Sequence, residues 1–252
     1  MPEFNCCGLP VDPVSHEMML VLAARNLCLA EQEELGIMTL CPGCNGTLHK
    51  VNRILKENDR VRERVNSFLK EDGMEFRGNI EVKHLIQVLG DVVGPERIKE
   101  KVVTPFNGLK VTEHYGCHIL RPAEYMSFDS SENPTVLRRL IEPTGAECLD
   151  YVNKTECCGY PIIAINENIP FQLARDKLKH IKETGAEALI TICPSCYLAF
   201  DVNQSRIEKL FNEKYGIPVL HYPELLALAL GIKSEELAFK DHRVKISKTI
   251  VK

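Results

Sequence analysis

Residues 37–44 read IMTLCPGC and residues 188–196 read ALITICPSC. In each, a short aliphatic run with β-branched members enters Cys-Pro-x-Cys, and helical spacing of apolar residues follows, in TLHKVNRILKE after the first and YLAFDVNQSRIEKLFNEKYG after the second. The pattern predicts a strand, a turn and a helix, with the cysteines at the strand's C-terminal end. Upstream of each lies another helical stretch. EMMLVLAARNLCLAEQEELG runs from a candidate N-cap at Ser15 to Gly36, and FQLARDKLKHIKETG runs to Gly185. Further upstream again are NCCGLP (5–10) and ECCGYP (156–161). NIEVKH, GLKVTEHYGCH, ECLDY and IPVLHY read as further strands, and LIQVLG, NPTVLRRLIEPTG and PELLALALG as helices. Alternation of this kind is the pattern of an α/β fold.

The two halves form a repeat. Cys6 maps to Cys157 at a shift of 151 and Cys41 to Cys193 at a shift of 152, with 33 residues between Cys7 and Cys41 and 34 between Cys158 and Cys193. AARN (23–26) falls against LARD (173–176), and VKH ending at His84 matches VLH ending at His221. The segment GPERIKEKVVTPFNG is a plausible junction, dividing the chain into repeats at 1–105 and 106–252.

Composition narrows the function. The 252 residues are 44% hydrophobic and 26% charged, enough for a substantial core. Thirty-one Lys and Arg against 35 Asp and Glu give a formal charge of −4, which provides no basic field for nucleic acid or an anionic membrane. The apolar run LLALALGI (225–232) is far shorter than the ~18 residues a spanning helix needs, and no signal-peptide pattern opens the chain. The expectation is a cytoplasmic protein with no transmembrane segment. Eleven cysteines in such a setting point to metal or redox chemistry rather than a disulfide framework.

Thiolates at the C-terminal ends of parallel strands project into the crevice where open α/β sheets hold ligands. In the second repeat five can converge: Cys117, Cys157, Cys158, Cys193 and Cys196; the first offers Cys6, Cys7, Cys41 and Cys44. One zinc ion takes four ligands and leaves one over, whereas iron and sulfide form larger assemblies on several thiolates. Iron-sulfur fits better, with a structural four-cysteine zinc site and a metal-free thiol redox pair as alternatives. Cys28 and Cys148 have no counterparts and read as buried free thiols. His114 and His118 flank Cys117 as packing residues or partners of the ligands, and His84 and His221, at matched strand ends, suggest a shared structural role.

The pattern Cys117, Cys157-Cys158-Gly159, Cys193-x-x-Cys196 resembles the cysteine-rich CCG domain, and AARNLCLAE, HYGCHIL, CPSCYLAFDVNQ and IPVLHY are similar to the B-type subunit family of CoB-CoM heterodisulfide reductases. The resemblance implies two pseudo-twofold-related CCG lobes of short parallel strands and flanking helices. It also implies two noncubane [4Fe-4S] clusters, each held by the cysteines of one repeat, that reduce a small-molecule disulfide such as CoM-S-S-CoB to two thiols. The implied partners are two further proteins of the complex, one ferredoxin-like and one flavin-containing. The first repeat departs from the family. With Cys117 lying 40 residues before Cys157, its equivalent would fall about 34 residues before Met1, so we expect the natural protein to extend upstream by about 40 residues. Two other roles are compatible with the motifs: an electron-transfer protein of the kind that serves lactate, glycolate or glycerol-3-phosphate oxidation, or a zinc-stabilised scaffold without redox function.

Overall fold

The computed structural model describes residues 3–126 and 128–251; Met1, on which the expectation of an upstream segment turns, lies outside them. The chain forms α-helices and parallel strands in two sheets, the α/β class expected.

One compact unit comprises Met1–Gln87 and His118–Phe128. Helix α1 (His16–Gln32) starts where Ser15 Oγ accepts the Met18 N–H. It ends before Gly36, because Glu34 takes the left-handed conformation first. Strand β1 (Ile37–Thr39) leads through Cys41, the N-cap, into α2 (Pro42–Glu57). Asn58 then caps the solvated helix α3 (Asp59–Leu69). Strand β2 (Val82–His84) pairs parallel to β1, with Thr39 opposite His84. The core lies between α1, α2 and α3, around Leu27, Val51, Leu55 and Leu69.

The other unit comprises Val88–Cys117 and Asp129–Lys252. The compact units therefore trade segments across the junction expected at residue 105. Helix α4 (Pro95–Lys101) and the chain after it pack with the second unit, where the N–H groups of Val103 and Thr104 donate to the Ala229 carbonyl and that of Phe106 to the Thr144 carbonyl. Residues 118–128 pack with the first unit, where the Arg53 guanidinium donates to the Glu124 carbonyl and lies over the Tyr125 ring. In chain order the second unit's elements are β3 (Lys110–His114), α5 (Val136–Ile141), β4 (Glu147–Leu149), α6 (Asn168–Glu183), β5 (Ala188–Thr191), α7 (Pro194–Tyr197), α8 (Gln204–Phe211), β6 (Val219–His221) and α9 (Tyr222–Ala229). The single helix expected after Cys196 is interrupted by a π-helical turn at Leu198–Val202.

All four strands of this sheet are parallel, in the order β4-β3-β5-β6. The chain leaves β3 for β4 on one side and returns to β5 on the other. The C-terminal ends of β3 and β5 thus flank the switch point where such sheets place their ligands. Helices cover both faces, so β5 is buried throughout and β3 from Val111 onward. In the first unit β1 and β2 correspond to β5 and β6; among the described residues no strand lies on the β1 edge that corresponds to the β3 side of β5.

Packing also corrects the helix alignment. A Cβ on Gly8 would meet the Met19 carbonyl oxygen at 2.9 Å, and one on Gly159 would meet Pro170 Cα at 2.8 Å. Met19 therefore corresponds to Pro170, at the shift of 151 that relates Cys6 to Cys157. At that shift Leu20, Ala23 and Leu27 fall on Phe171, Ala174 and Leu178, all buried. The likeness of AARN to LARD, at a shift of 150, turns α1 one residue off its core face.

Burying β3 carries a titratable cost at Glu113. It is 1% exposed, with Oε1 3.4 Å from Lys154 Nζ and 3.9 Å from Arg138 Nε, and burial pushes its carboxyl up to about 7 against the pull of those cations. A carboxyl that holds its proton more tightly when folded contributes stability fully below its ordinary value of 4.5 and loses it as pH rises to about 7. Glu113→Gln is expected to flatten that dependence. Between about pH 5 and pH 8 the variant should gain up to ~3 kcal/mol relative to the parent, read from urea midpoints at each pH.

Candidate functional site

Both Cys-Cys-Gly segments fold alike. In each the first cysteine is exposed and the second buried, the glycine is left-handed, and a 3-10 turn with Pro near its start follows at Leu9–Val11 and Tyr160–Ile162. The left-handed glycine folds its own N–H back onto the first cysteine. The Gly8 N–H donates to Cys6 Sγ at 3.5 Å and the Gly159 N–H to Cys157 Sγ at 3.3 Å. Amide donors of this kind favour a thiolate.

In the second unit the five predicted cysteines meet at the switch point, from three chain segments. Cys117 follows the end of β3, Cys157 and Cys158 precede α6, and Cys193 caps the short helix that carries Cys196. Cys117 Sγ donates to Cys157 Sγ at 3.9 Å and Cys196 Sγ to Cys158 Sγ at 3.5 Å. Thiol contacts from Cys157 to Cys158 and from Cys196 to Cys193 complete a chain in the order 117, 157, 158, 196, 193. Gly116 permits the approach: a Cβ there would lie 3.3 Å from Cys193 Cβ and 3.4 Å from Cys196 Sγ. Thr191 Oγ1 ties the strand ends together by donating to the His114 carbonyl at 3.2 Å.

Charge is distributed unevenly along this chain. Donation from Cys117, Cys158 and the Gly159 N–H holds Cys157 far below the ordinary thiol range, while Cys117 and Cys158, its thiol donors, and Cys196, which donates to Cys158, are pushed up. In the first unit Cys7 is the favoured thiolate, brought down to about 6 chiefly by Cys44, and Cys44, bonded to Cys41 and Cys7, is pushed up.

Five thiols in one unit and four in the other fit the thiolate donor set of iron-sulfur clusters. Among the described residues, no group of three or more His, Cys, Asp or Glu side chains is spaced for a single metal ion.

The flanking histidines separate. His114 is fully buried, its Nδ1 3.1 Å from the Tyr151 hydroxyl and its ring edge-on to Phe200, and burial pulls it down to about 3, so it is neutral. His118 belongs to the first unit, where its backbone packs on Gly46. It lines a cavity of about 190 Å³ with Leu9, Thr47, Lys50 and Arg121, and Thr47 is also a hydrogen-bond partner of Cys7. Lys50 and Arg121 carry no signal in the sequence, because only the return of 118–128 brings them together. His84 and His221 do share a structural role. Their N–H groups donate to Gln87 Oε1 at 2.6 Å and Glu224 Oε2 at 2.7 Å; His221 and Glu224 form a capping box at the helix that follows β6, and at the turn after β2 the His84 Nδ1 accepts the Ile86 N–H in a similar cap. Spacings of His-x-x-Gln and His-x-x-Glu carried that signal. Cys28 and Cys148 are buried away from both sites, and burial pushes each up to about 12.

Residues 1–49 and 111–201 match the cysteine-rich domain family CCG. The chain is 37% identical over 249 residues to the B-type subunit of the ferredoxin:CoB-CoM heterodisulfide reductase of Methanosarcina mazei, covering 97% of this chain and 83% of that protein. It is 34% identical over 250 residues to the membrane anchor subunit of the 8-methylmenaquinol:fumarate reductase of Wolinella succinogenes, covering 97% and 85%. A crystal structure of a hypothetical protein from Helicobacter pylori aligns with 94% of this chain and 43% of its own at a TM-score of 0.76 and 17% identity, a likeness of fold. Among the described residues no helix is long and apolar enough to cross a membrane.

Proposed function

Because the chain belongs to the CCG, cysteine-rich domain family and is related to the B-type subunit of heterodisulfide reductases, we propose that it is the iron-sulfur subunit of a disulfide reductase complex. Cys117, Cys157, Cys158, Cys193 and Cys196 hold one [4Fe-4S] cluster of the noncubane kind, and Cys6, Cys7, Cys41 and Cys44 contribute to a second. The observation that carries this reading is the five-thiol chain at the sheet's switch point. When bound, such clusters supply electrons one at a time and iron for the sulfurs of a split disulfide. The chain's own residues do the rest. The N–H groups of Gly8 and Gly159 stabilise ligand charge, and burial of Cys7, Cys158, Cys193 and Cys196 keeps water from the site. In the cavity that His118 lines, the two cations Lys50 and Arg121 outnumber the one carboxylate of Asp12, which supports a place for the anionic arm of a small disulfide such as CoM-S-S-CoB. Electrons arrive from a flavin-containing partner by way of a ferredoxin-like one.

Anaerobically prepared protein is expected to contain about eight iron and eight sulfide per chain and to develop a thiol-dependent paramagnetic signal after exposure to the heterodisulfide. Zinc without sulfide would leave the scaffold reading. The relationship to a fumarate reductase component favours one further reading, an electron relay, which predicts the same iron and sulfide with no response to any disulfide.

A further inference from the structure

The corrected helix alignment sets Asn26 against Lys177, and the two are built into the same place. Both lie on the helix that follows a Cys-Cys-Gly loop, both are 1% exposed, and both donate to backbone carbonyls of the segment before the cysteine pair or at its start. Asn26 is neutral and satisfied there. Its Nδ2 donates to the carbonyls of Asn5 at 3.2 Å and Cys6 at 3.3 Å, and its Oδ1 accepts the Asn5 N–H at 3.0 Å. Lys177 is a cation in that position. Its Nζ donates to the Asn153 carbonyl and lies 5.9 Å from the centre of the Tyr151 ring. Neither partner carries a negative charge. An ammonium buried on neutral partners is costly unless opposite charge lies near. The acidic groups that act on Lys177 are Glu156 and then Cys196, Cys158 and Cys157, three of the five cysteines at the switch point, which carry negative charge as cluster ligands; Tyr151, whose ring faces the ammonium, packs in one core cluster with Cys158, Cys193 and Cys196. Burial draws Lys177 down to about 8, which leaves it mostly charged near neutral pH.

We propose that Lys177 is the built-in counter-charge of the second cysteine site and that Asn26 supplies none from the matching position of the first, so that this one position tunes the reduction potentials of the two repeats' clusters apart. The inference rests on the iron-sulfur reading above. Reduction adds an electron to a site already made negative by its thiolates, and a fixed cation favours the reduced state. Lys177 therefore makes the second site accept an electron more readily than the same site would with an amide at this position. Lys177 acts through its field and touches no substrate, so it is a charge-setting residue and not a catalytic one.

The test is an anaerobic redox titration followed by EPR and visible absorption on the parent, Lys177→Asn, Lys177→Arg and Asn26→Lys; the signal lost in Cys158→Ser identifies the second site. Lys177→Asn, which installs the other repeat's residue, is expected to change the oxidised-to-reduced ratio of the second site about tenfold toward oxidised at a fixed poise, a shift of about 59 mV for one electron. Lys177→Arg should stay near the parent, and Asn26→Lys should shift the first site the opposite way. A second site that ignores Lys177→Asn, or that shifts as far in Lys177→Arg, overturns the inference. If Lys177→Asn assembles no second cluster, Lys177→Arg decides: assembly with the parent's potential supports the counter-charge, and equal loss overturns it. Iron and sulfide separate the two failures. A parent without either sinks the iron-sulfur reading and the inference with it, whereas a loaded parent indifferent to residue 177 sinks the inference alone.

Discussion

Cys158→Ser is expected to remove the second site's iron, lowering bound iron and sulfide from about eight to about four per chain. Cys158 is the middle member of the five-thiol chain, bonded on one side to Cys157 and on the other to Cys196, and it is buried. A serine hydroxyl in its place cannot ionise near neutral pH and is a poor ligand for iron, so the set is broken in the middle rather than at an exposed end. Cys148→Ser is the control, since Cys148 is a buried thiol of the same unit that lies on β4 and away from the chain. It should keep the parent's iron. Unchanged iron in Cys158→Ser, or equal loss in Cys148→Ser, would remove the cysteine chain from the role given to it. Iron and sulfide assays on anaerobic protein read the outcome.

Gly116→Ala should cost the second site its cluster through geometry alone. Gly116 has a φ of 72°, in the left-handed region, and the added Cβ would stand 3.3 Å from Cys193 Cβ and 3.4 Å from Cys196 Sγ. Backbone strain of that kind is worth ~1 kcal/mol for a non-glycine residue, and forcing a side chain into a filled site adds ~1–3 kcal/mol. Gly108→Ala separates the two contributions. Gly108 has a φ of 87° with nothing within 4 Å of an added Cβ, so that variant should lose only the strain and keep its iron. Denaturant midpoints and iron content on both variants are the measurement. Equal destabilisation with iron retained in both would mean that the cysteines do not need the close approach at Gly116.

Local chemistry made much of this molecule legible from the chain. The strand ends at Cys41 and Cys193, the capping Ser15, the matching Cys-Cys-Gly turns and the paired histidines all depend on residues within a few positions of one another, so spacing carried them. Single helices were read less well where the backbone widens, as at Leu198–Val202, because a π-helical turn keeps the apolar content of an α-helix while shifting its phase. The β4-β3-β5-β6 order, which brings Cys117 against the Cys193 turn, is a matter of long-range pairing, and no stretch of sequence contains it. The return of 118–128 to the first unit, which lines a cavity with His118 and Arg121 beside Lys50, is likewise set by tertiary packing. Alignment by residue likeness set AARN on LARD. Packing of Met19 and Pro170 under the two glycines moved the register by one, and a shift of about 100° around a helix decides whether Lys177 answers to Leu27 or to Asn26. The sequence by itself thus determined which cysteines are available and at which kind of turn. Only the tertiary structure decided which of them meet and that one site has a buried cation where the other has an amide, because burial and the charge it isolates are properties of the packed chain.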